Sequence, residues 1–258
     1  MTDRVTLITG ASSGIGAELA RIFAAKGHRV VLVARRENKL AELAASIVAA
    51  GGTQPVVISC DLQKHDAGEM IAEQIQARNL DVEFLVNNAG FGLFGLAAAL
   101  DREQQLAMID LNVRALTDLS LRFSASVMRN KGGILNVSSI AAFLPGPGMA
   151  VYYASKAFVL SFTEALRGEM GRHGVRVTAL CPGPVPTEFQ QRAGFAPGLD
   201  SALLNVCARD VAAAGYRGLM KNRQVVLPGL GIRLIPIFLR FAPRNLVLAA
   251  VSRVQRRR

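Results

Sequence analysis

Short apolar runs alternate with longer segments of helical periodicity along most of the chain. The apolar runs predict strands over residues 4–9, 29–34, 55–60, 82–87, 132–139, 175–183 and 224–228. The segments between them predict helices over residues 16–27, 37–52, 64–78, 102–129, 153–174 and 208–222. Because the strands are apolar without alternation, both faces of their sheet must be covered. The pattern therefore predicts an α/β domain: a doubly wound parallel sheet with helices on both faces.

Two segments depart from this alternation. Residues 184–207, "PVPTEFQQRAGFAPGLDSALLNVC", form a long connection that carries Phe189 and Phe195 and is typical of a lid or binding loop. Residues 229–258 are apolar but carry an arginine every few positions. We therefore predict a single domain over residues 1–228, followed by a basic, apolar C-terminal extension over residues 229–258.

The charge of this extension limits the partners that the chain can have. The formal net charge is +11, and the chain after Gly229 contains seven arginines and no acidic residue. No nucleic-acid-binding motif accompanies this charge, so we predict no nucleic-acid partner.

Pro236 and Pro243 are expected to break the extension into short segments. Two alternatives remain: weak contact with an anionic membrane, or packing over the substrate mouth or a partner subunit.

Cysteine and histidine usage argues against disulfides and metal sites. The three cysteines and three histidines are widely spaced and form neither a CxxC pair nor a ligand pattern; they are Cys60, Cys181, Cys207, His28, His65 and His173. The chain begins a strand almost at once, which leaves no room for a signal peptide. We therefore expect a cytoplasmic protein, with or without peripheral contact at the inner face of the membrane.

A glycine-rich stretch, "TGASSGIG" (9–16), joins the first predicted strand to the first helix. Gly10 permits a sharp turn, while Gly14 and Gly16 keep side chains away from an approaching phosphate. The spacing differs from the common G-x-G-x-x-G fingerprint, and a plain strand-to-helix turn is the alternative. Its place in a βαβ pattern favours a dinucleotide site formed by Gly10, Ser12, Ser13, Gly14, Ile15 and Gly16.

The ends of the next strands carry further candidates for cofactor contact. After the second strand, "VARREN" places Arg35 and Arg36 where an acidic residue would bind the ribose of NAD, so NADP(H) is favoured. The alternative is two solvated arginines at a helix start. Asp61, Leu62, Asn88, Ala89 and Gly90 follow the third and fourth strands, where doubly wound sheets bind ligands. We interpret Asn87 as a structural link between strands.

The stretch "YYASK" (152–156) contains two tyrosines within reach of one lysine on a helix. Together with TGxxxGxG, "NNAG", "LNV", "NVSS" and "PGPVPT", in this order, it resembles the short-chain dehydrogenase/reductase family over about residues 4–228. The resemblance implies a Rossmann fold, a nicotinamide cofactor and a homo-oligomer, dimer or tetramer, paired through the helices of segments 102–129 and 153–174. It also points to bacterial ketone or aldehyde reductases and to lipid- or steroid-directed members with an apolar extension.

The family pattern Tyr-x-x-x-Lys assigns catalysis to Tyr152 and Lys156, and it leaves Tyr153 a packing role. The resemblance adds Ser139 as donor to the carbonyl oxygen and Asn112 as anchor of a water near Lys156. Nearby positive charge is expected to lower the pKa of Tyr152. Tyr152 and Lys156 also join the cofactor contacts, and "PGPVPT" contributes Pro182, Gly183, Val185 and Thr187.

The substrate is not specified by these motifs. Phe91, Leu93, Phe94, Phe143, Leu144, Phe189 and Phe195 would line an apolar pocket for a ketone, an aldehyde or a secondary alcohol, or else belong to the core. We predict an NADP(H)-dependent oxidoreductase. The alternative is an NADP(H)-binding regulatory or membrane-surface protein of the same fold with little turnover.

Overall fold

The computed structural model describes residues 3–188 and 206–255; within the last segment, the side chains of residues 230, 237, 240, 241, 254 and 255 are not described. Its strands form one parallel sheet in the order β3-β2-β1-β4-β5-β6-β7. Their bounds are β1 (Asp3–Thr9), β2 (Arg29–Ala34), β3 (Val56–Ser59), β4 (Leu80–Asn87), β5 (Gly133–Val137), β6 (Arg176–Leu180) and β7 (Val225–Val226). This order confirms the predicted doubly wound sheet.

Helices connect the strands and cover both faces of the sheet. They are α1 (Gly14–Ala25), α2 (Glu37–Ala49), α3 (Ala67–Ala77), α4 (Arg102–Ile109), α5 (Leu116–Arg122), α6 (Ser124–Arg129), α7 (Ala150–Gly171), α8 (Ala208–Met220), α9 (Leu230–Phe241) and α10 (Arg244–Gln255). A π-helical segment, Asp110–Ala115, separates α4 from α5, and a 3-10 turn, Ile140–Phe143, follows β5.

Successive strand residues point to opposite faces, and each face has its own apolar core. Ile8 and Leu32 pack with residues of α1, α2 and α8, whereas Leu7 and Val31 pack with residues of α3, α5 and α7. All four side chains are fully buried. Burial on both faces explains why the sequence shows continuous apolar runs rather than alternation.

The structure corrects two predicted boundaries. Helix α7 begins at Ala150 rather than at residue 153, so both tyrosines lie in its first turn. The expected break at Pro236 is wrong, because Pro236 lies inside α9. Proline has no N–H group, so the helix loses only the one hydrogen bond that this residue would donate to the carbonyl of Ile232. Pro243 does separate α9 from α10. Among the described residues, no helix has the length and apolar character needed to cross a membrane.

Candidate active site

The carboxyl ends of four adjacent strands bring the sequence motifs together at one edge of the sheet. Strands β1, β4, β5 and β6 are neighbours, and they are followed by the glycine turn, NNAG, the two serines and PGPVPT respectively. Ser138 N–H donates to the carbonyl of Leu180 at 2.8 Å, and Ile140 N–H donates to the carbonyl of Pro182 at 2.9 Å. These bonds fix the serine segment against the segment that follows β6.

The glycine turn is crowded at the positions where the sequence requires glycine. Gly10 has φ +64°, and a Cβ there would lie 2.8 Å from Asn88 Nδ2. A Cβ on Gly16 would lie 2.3 Å from the carbonyl oxygen of Gly10. Asn88 Nδ2 donates to the carbonyls of Thr9, at 3.0 Å, and Gly10, at 3.2 Å. The turn therefore needs glycine for close backbone approach, which is the shape required for phosphate to reach the start of a helix.

Thr9, which the sequence analysis missed, organises the next strand end. Its Oγ1 accepts hydrogen bonds from the backbone N–H groups of Asn88 at 3.0 Å and Ala89 at 3.1 Å. The hydroxyl donates to the carbonyl of Val86 at 3.3 Å. The only feature of the sequence that could have identified Thr9 is its position as the last residue of an apolar strand. Ser12, Ser13 and Ile15 lie half-buried in the turn.

The end of β2 presents the two arginines to solvent beside the glycine turn. Arg35 and Arg36 are both exposed. Arg36 Nη2 lies 3.1 Å from Ser12 Oγ and 2.7 Å from Glu188 Oε2. Arg36 is therefore the arginine in contact with the turn.

After β3, Leu62 is buried, and the half-buried Asp61 accepts a hydrogen bond from the backbone N–H of Gln63 at 3.1 Å.

Tyr152, Lys156 and Ser139 form one buried cluster beneath this edge. The side chains are 9%, 5% and 8% exposed, respectively. Lys156 Nζ lies 5.8 Å from the centre of the Tyr152 ring and donates to the carbonyl of Val137 at 3.0 Å. The Ser139 hydroxyl hydrogen-bonds with Tyr152 and accepts from Ala141 N–H at 3.1 Å. The phenol therefore has a hydroxyl partner and an ammonium in reach.

Burial, rather than the nearby charge, dominates the ionisation of this cluster. Loss of hydration raises the pKa of Tyr152 to about 12, opposed by the Ser139 hydrogen bond. The same loss lowers the pKa of Lys156 to about 8. The expected lowering of the Tyr152 pKa is therefore wrong for this arrangement, because the cost of burying a charged phenolate outweighs the effects that favour it. A phenol in this state keeps its proton near neutral pH.

Asn112 connects the chain after the NNAG segment to α7. Its Oδ1 accepts from Phe91 N–H at 3.1 Å, and its Nδ2 donates to the Phe91 carbonyl at 2.9 Å and to Ser155 Oγ at 3.1 Å. The π-helical segment holds this amide in place. A Cβ on Gly90 would lie 2.9 Å from Asn112 Oδ1 and 3.4 Å from Lys156 Nζ. The water-anchoring role of Asn112 stays a prediction; these bonds give it a positioning role.

Further buried polar groups support the site. Asn87 Nδ2 donates to Asn136 Oδ1 at 2.9 Å, which confirms its predicted role as a link between β4 and β5. Ser138, missed by the sequence analysis, donates to the Lys156 carbonyl at 2.8 Å. Cys181, which was considered only as a metal or disulfide candidate, lies buried beside it, and burial raises the pKa of its thiol to about 12. The Ser138 hydrogen bond holds α7 against the end of β5.

The segment after β6 crosses the glycine turn. Pro182 and Val185 are buried, and Gly183 and Thr187 are half-buried. A Cβ on Gly14 would lie 3.2 Å from Thr187 Cγ2, so Thr187 lies directly over the start of α1. Residues 189–205 of the predicted lid lie outside the described residues. They include Phe189 and Phe195, which were predicted to line the pocket.

The aromatic and aliphatic candidates divide between core and surface. Phe91 is buried in a cluster with Tyr152, and Leu93, Phe94 and Tyr153 pack against that cluster while half-exposed. Phe143 packs against the cluster around Cys181, and Leu144 is half-buried. Tyr153 lies flat against Gly146, where a Cβ would come 2.2 Å from its ring. This contact confirms the packing role predicted for Tyr153.

Comparison with known proteins agrees with this geometry. A family model described as short chain dehydrogenase matches residues 4–195. The chain belongs to the short-chain dehydrogenase/reductase family. It is 36% identical over 236 residues to the uncharacterized oxidoreductase SSP0419 of Staphylococcus saprophyticus, covering 90% of this chain and 98% of that protein. It is also 36% identical over 202 residues to the probable oxidoreductase EphD of Mycobacterium tuberculosis. That match covers 77% of this chain but only 34% of EphD.

Solved structures of this oxidoreductase family share the fold over nearly the whole chain. A short-chain dehydrogenase from Sphingobium yanoikuyae in complex with NADPH is 32% identical, has a TM-score of 0.81, and is matched over 95% of this chain and 94% of its own. The bulky-bulky ketone specific alcohol dehydrogenase from Comamonas testosteroni is 28% identical, with a TM-score of 0.78 and the same two coverages.

Proposed function

We propose that the protein is an NADP(H)-dependent oxidoreductase that interconverts an apolar ketone or aldehyde and the corresponding alcohol. The observation that carries this proposal is the convergence of Tyr152, Lys156 and Ser139 in one buried cluster. Burying a tyrosine hydroxyl and a lysine ammonium together costs free energy. Buried titratable groups of this kind are concentrated at functional sites, which favours a chemical role for the pair. Membership of an oxidoreductase family supports the same conclusion.

The shape of the glycine turn and the charge beside it support NADP(H) as the cofactor. The turn has no space for a Cβ on Gly10 or Gly16, which suits close approach of a pyrophosphate. Arg36 reaches this turn and Arg35 is exposed next to it, and both can bind a 2′-phosphate. Asp61, Leu62, Asn88, Ala89 and Gly90 would line the adenosine, whereas Pro182, Gly183, Val185 and Thr187 would border the nicotinamide half. The relative from Sphingobium was solved with NADPH.

When bound, the nicotinamide cofactor supplies or accepts the hydride. In the reducing direction, Tyr152 donates its hydroxyl proton to the carbonyl oxygen of the substrate as the alcohol forms. Its raised pKa means that this proton is present near neutral pH. Ser139 hydrogen-bonds the same oxygen, and the Lys156 ammonium stabilises the phenolate that remains on Tyr152. The hydrogen bonds of Asn112 hold Phe91 and Ser155, and through them the geometry around Tyr152.

The surroundings of Tyr152 favour an apolar substrate. Leu93, Phe94 and Leu144 are half-exposed near the catalytic cluster. Such side chains bind hydrocarbon portions of a ligand and leave its carbonyl to the polar groups. The Comamonas relative, a bulky-bulky ketone specific alcohol dehydrogenase, is consistent with such a pocket.

A substrate panel tests the proposed activity. Aryl and alicyclic ketones, aldehydes and secondary alcohols would be incubated with the protein, and the absorbance of NADPH would be followed. We expect turnover of apolar members and little turnover of charged analogues of similar size. Absence of turnover across the panel, together with tight NADPH binding, would favour a regulatory role instead.

We further propose a homo-oligomer that pairs through the helices between residues 102 and 129 and through α7. Apolar side chains on these helices are exposed in the single chain: Ile109 by 41%, Leu121 by 58% and Phe158 by 40%. Phe158 stacks on Phe162 with ring centres 5.8 Å apart, which extends this apolar surface. Burying these side chains against a second copy would remove them from water.

We also propose that the extension over residues 229–258 binds anionic membranes weakly. Leu234 and Phe238 on α9 are 53% and 71% exposed, and Leu246 and Leu248 on α10 are 66% and 42% exposed. Arg233, Arg244 and Arg253 are exposed on the same helices. Exposed apolar side chains flanked by arginines, with no acid after Gly229, match a helix lying at an anionic lipid surface.

Co-sedimentation with liposomes tests this membrane proposal. The full chain should pellet with anionic vesicles at low salt, remain in the supernatant with neutral vesicles, and be released by high salt. The double variant Phe238→Ser/Leu246→Ser should lose this binding. Leu96→Ser, which removes a 70% exposed leucine elsewhere, is the matched control. A full chain that stays in the supernatant with anionic vesicles would favour packing of the extension on the protein instead.

A further inference from the structure

Glu188 places a carboxylate against the groups that we assign to a phosphate. Its Oε2 lies 2.7 Å from Arg36 Nη2, and the same nitrogen lies 3.1 Å from Ser12 Oγ. The carboxylate also hydrogen-bonds with the Ser13 side chain. Ser13 immediately precedes α1, but its hydroxyl makes no capping bond to that helix. The hydroxyls and the guanidinium of the turn thus face an anion that comes from the chain itself.

The path of the segment that follows β6 explains how Glu188 reaches Arg36. Thr187, the preceding residue, lies over Gly14, so the backbone brings Glu188 to the start of α1. The Arg36 hydrogen bond lowers the pKa of Glu188, and therefore the carboxylate is ionised near neutral pH. Both partners remain accessible: the Arg36 side chain is 43% exposed and the Glu188 side chain is 54% exposed. An incoming anion can therefore reach Arg36 and displace the carboxylate.

We propose that Glu188 is an intramolecular competitor for the anion site formed by Arg36, Ser12 and Ser13, and that the 2′-phosphate of NADP(H) displaces it. This inference rests on the proposed NADP(H) specificity. It follows that binding of a 2′-phosphate breaks the contact between Arg36 and Glu188. A cofactor without that phosphate leaves the Arg36–Glu188 pair intact. The contact between Glu188 and Arg36 would thereby depend on which cofactor is bound.

The size of the competition follows from the exposure of the pair. Ion pairs between exposed side chains contribute little, so removing this carboxylate should tighten binding of a 2′-phosphate by about 1.5- to fivefold. The effect should shrink at high salt, because both charges face solvent. Binding of a ligand without a 2′-phosphate should not change, since it does not need Arg36.

Calorimetric titration of the ligand-free full chain with adenosine 2′,5′-bisphosphate and with 5′-AMP tests the competition directly. The variants are Glu188→Gln, Arg36→Met and the double variant, at low salt. Glu42→Gln is the matched control, because it removes an exposed carboxylate that pairs with Lys39 at 2.8 Å on α2. We expect Glu188→Gln alone to tighten binding of the bisphosphate and to leave 5′-AMP unaffected. The gain should vanish in the Arg36→Met background.

The possible outcomes separate this inference from the proposed cofactor preference. If the parent protein prefers the bisphosphate over 5′-AMP but Glu188→Gln gives no gain, the cofactor preference stands and the competition is wrong. Weaker binding by Glu188→Gln also overturns the competition, since Glu188 would then support the site. If neither parent nor variant prefers the bisphosphate, both proposals are wrong. If Glu42→Gln tightened binding of the bisphosphate as much as Glu188→Gln does, the gain would come from the change in net charge, and the competition would be wrong.

Discussion

Replacing Gly10 by alanine should destabilise the glycine turn through two separable effects. At φ +64° a residue with a Cβ is strained by about 1–2 kcal/mol. The new Cβ would also lie 2.8 Å from Asn88 Nδ2 and 2.9 Å from Ala89 Cα. Because Ala89 Cα belongs to the backbone, relief of this overlap should cost about 1–3 kcal/mol more. We therefore expect Gly10→Ala to lower the free energy of unfolding by about 2–5 kcal/mol.

Gly27→Ala is the matched control for this prediction. Gly27 also has positive φ, +85°, but a Cβ there would meet nothing within 4 Å. Its substitution should therefore cost only the backbone strain, about 1–2 kcal/mol. Urea unfolding followed by far-UV circular dichroism, at one protein concentration, measures both losses. Equal losses for Gly10→Ala and Gly27→Ala would refute the crowding that we infer in the turn.

Three further predictions concern the cofactor, acid stability and assembly. The protein should use NADPH with a higher kcat/KM than NADH, and neutral replacement of Arg35 and Arg36 should raise the KM for NADPH much more than that for NADH; equal kcat/KM in the parent would contradict this. Hydrogen bonding from Arg129 holds the pKa of Asp81 at about 2, so the contribution of the ionised carboxylate to the free energy of unfolding is present above the unfolded pKa and is lost as pH falls towards 2. Urea unfolding from pH 6 downward should therefore show the stability gap between parent and Asp81→Asn closing below about pH 5; a constant gap would be evidence against it. Light scattering at micromolar concentration should give a dimer or tetramer mass, and a monomer mass would count against the proposed pairing.

The sheet could be predicted from the sequence because its signals are local. Apolar runs without alternation predicted each strand in the part of the chain that the structure describes, since burial on both faces requires apolar residues at successive positions. The chain after Pro236 was harder to predict. A proline usually ends a helix, yet α9 continues through it, which backbone propensity alone does not indicate.

The motifs of the candidate site could be found in the sequence, but their electrostatics could not. The spacing of Tyr152 and Lys156 placed both on one helix, and the fold brings the ring and the ammonium together. The predicted direction of the Tyr152 pKa shift was wrong because the shift is dominated by burial of the side chain, which the motifs do not report. Glu188 was missed for a similar reason: it lies 152 positions from Arg36, and only the fold makes them neighbours.

The role of Tyr152 is tested most directly by comparing two single-atom deletions on adjacent residues. Tyr152→Phe and Tyr153→Phe each remove one hydroxyl, and kcat/KM is measured with the best substrate of the panel while NADPH binding is measured by calorimetry. Loss of the proton donor should lower kcat/KM of Tyr152→Phe by about a hundredfold or more, with NADPH still bound. Tyr153→Phe should keep most activity, because its ring packs on Gly146. An inactive Tyr153→Phe beside an active Tyr152→Phe would contradict the assignment.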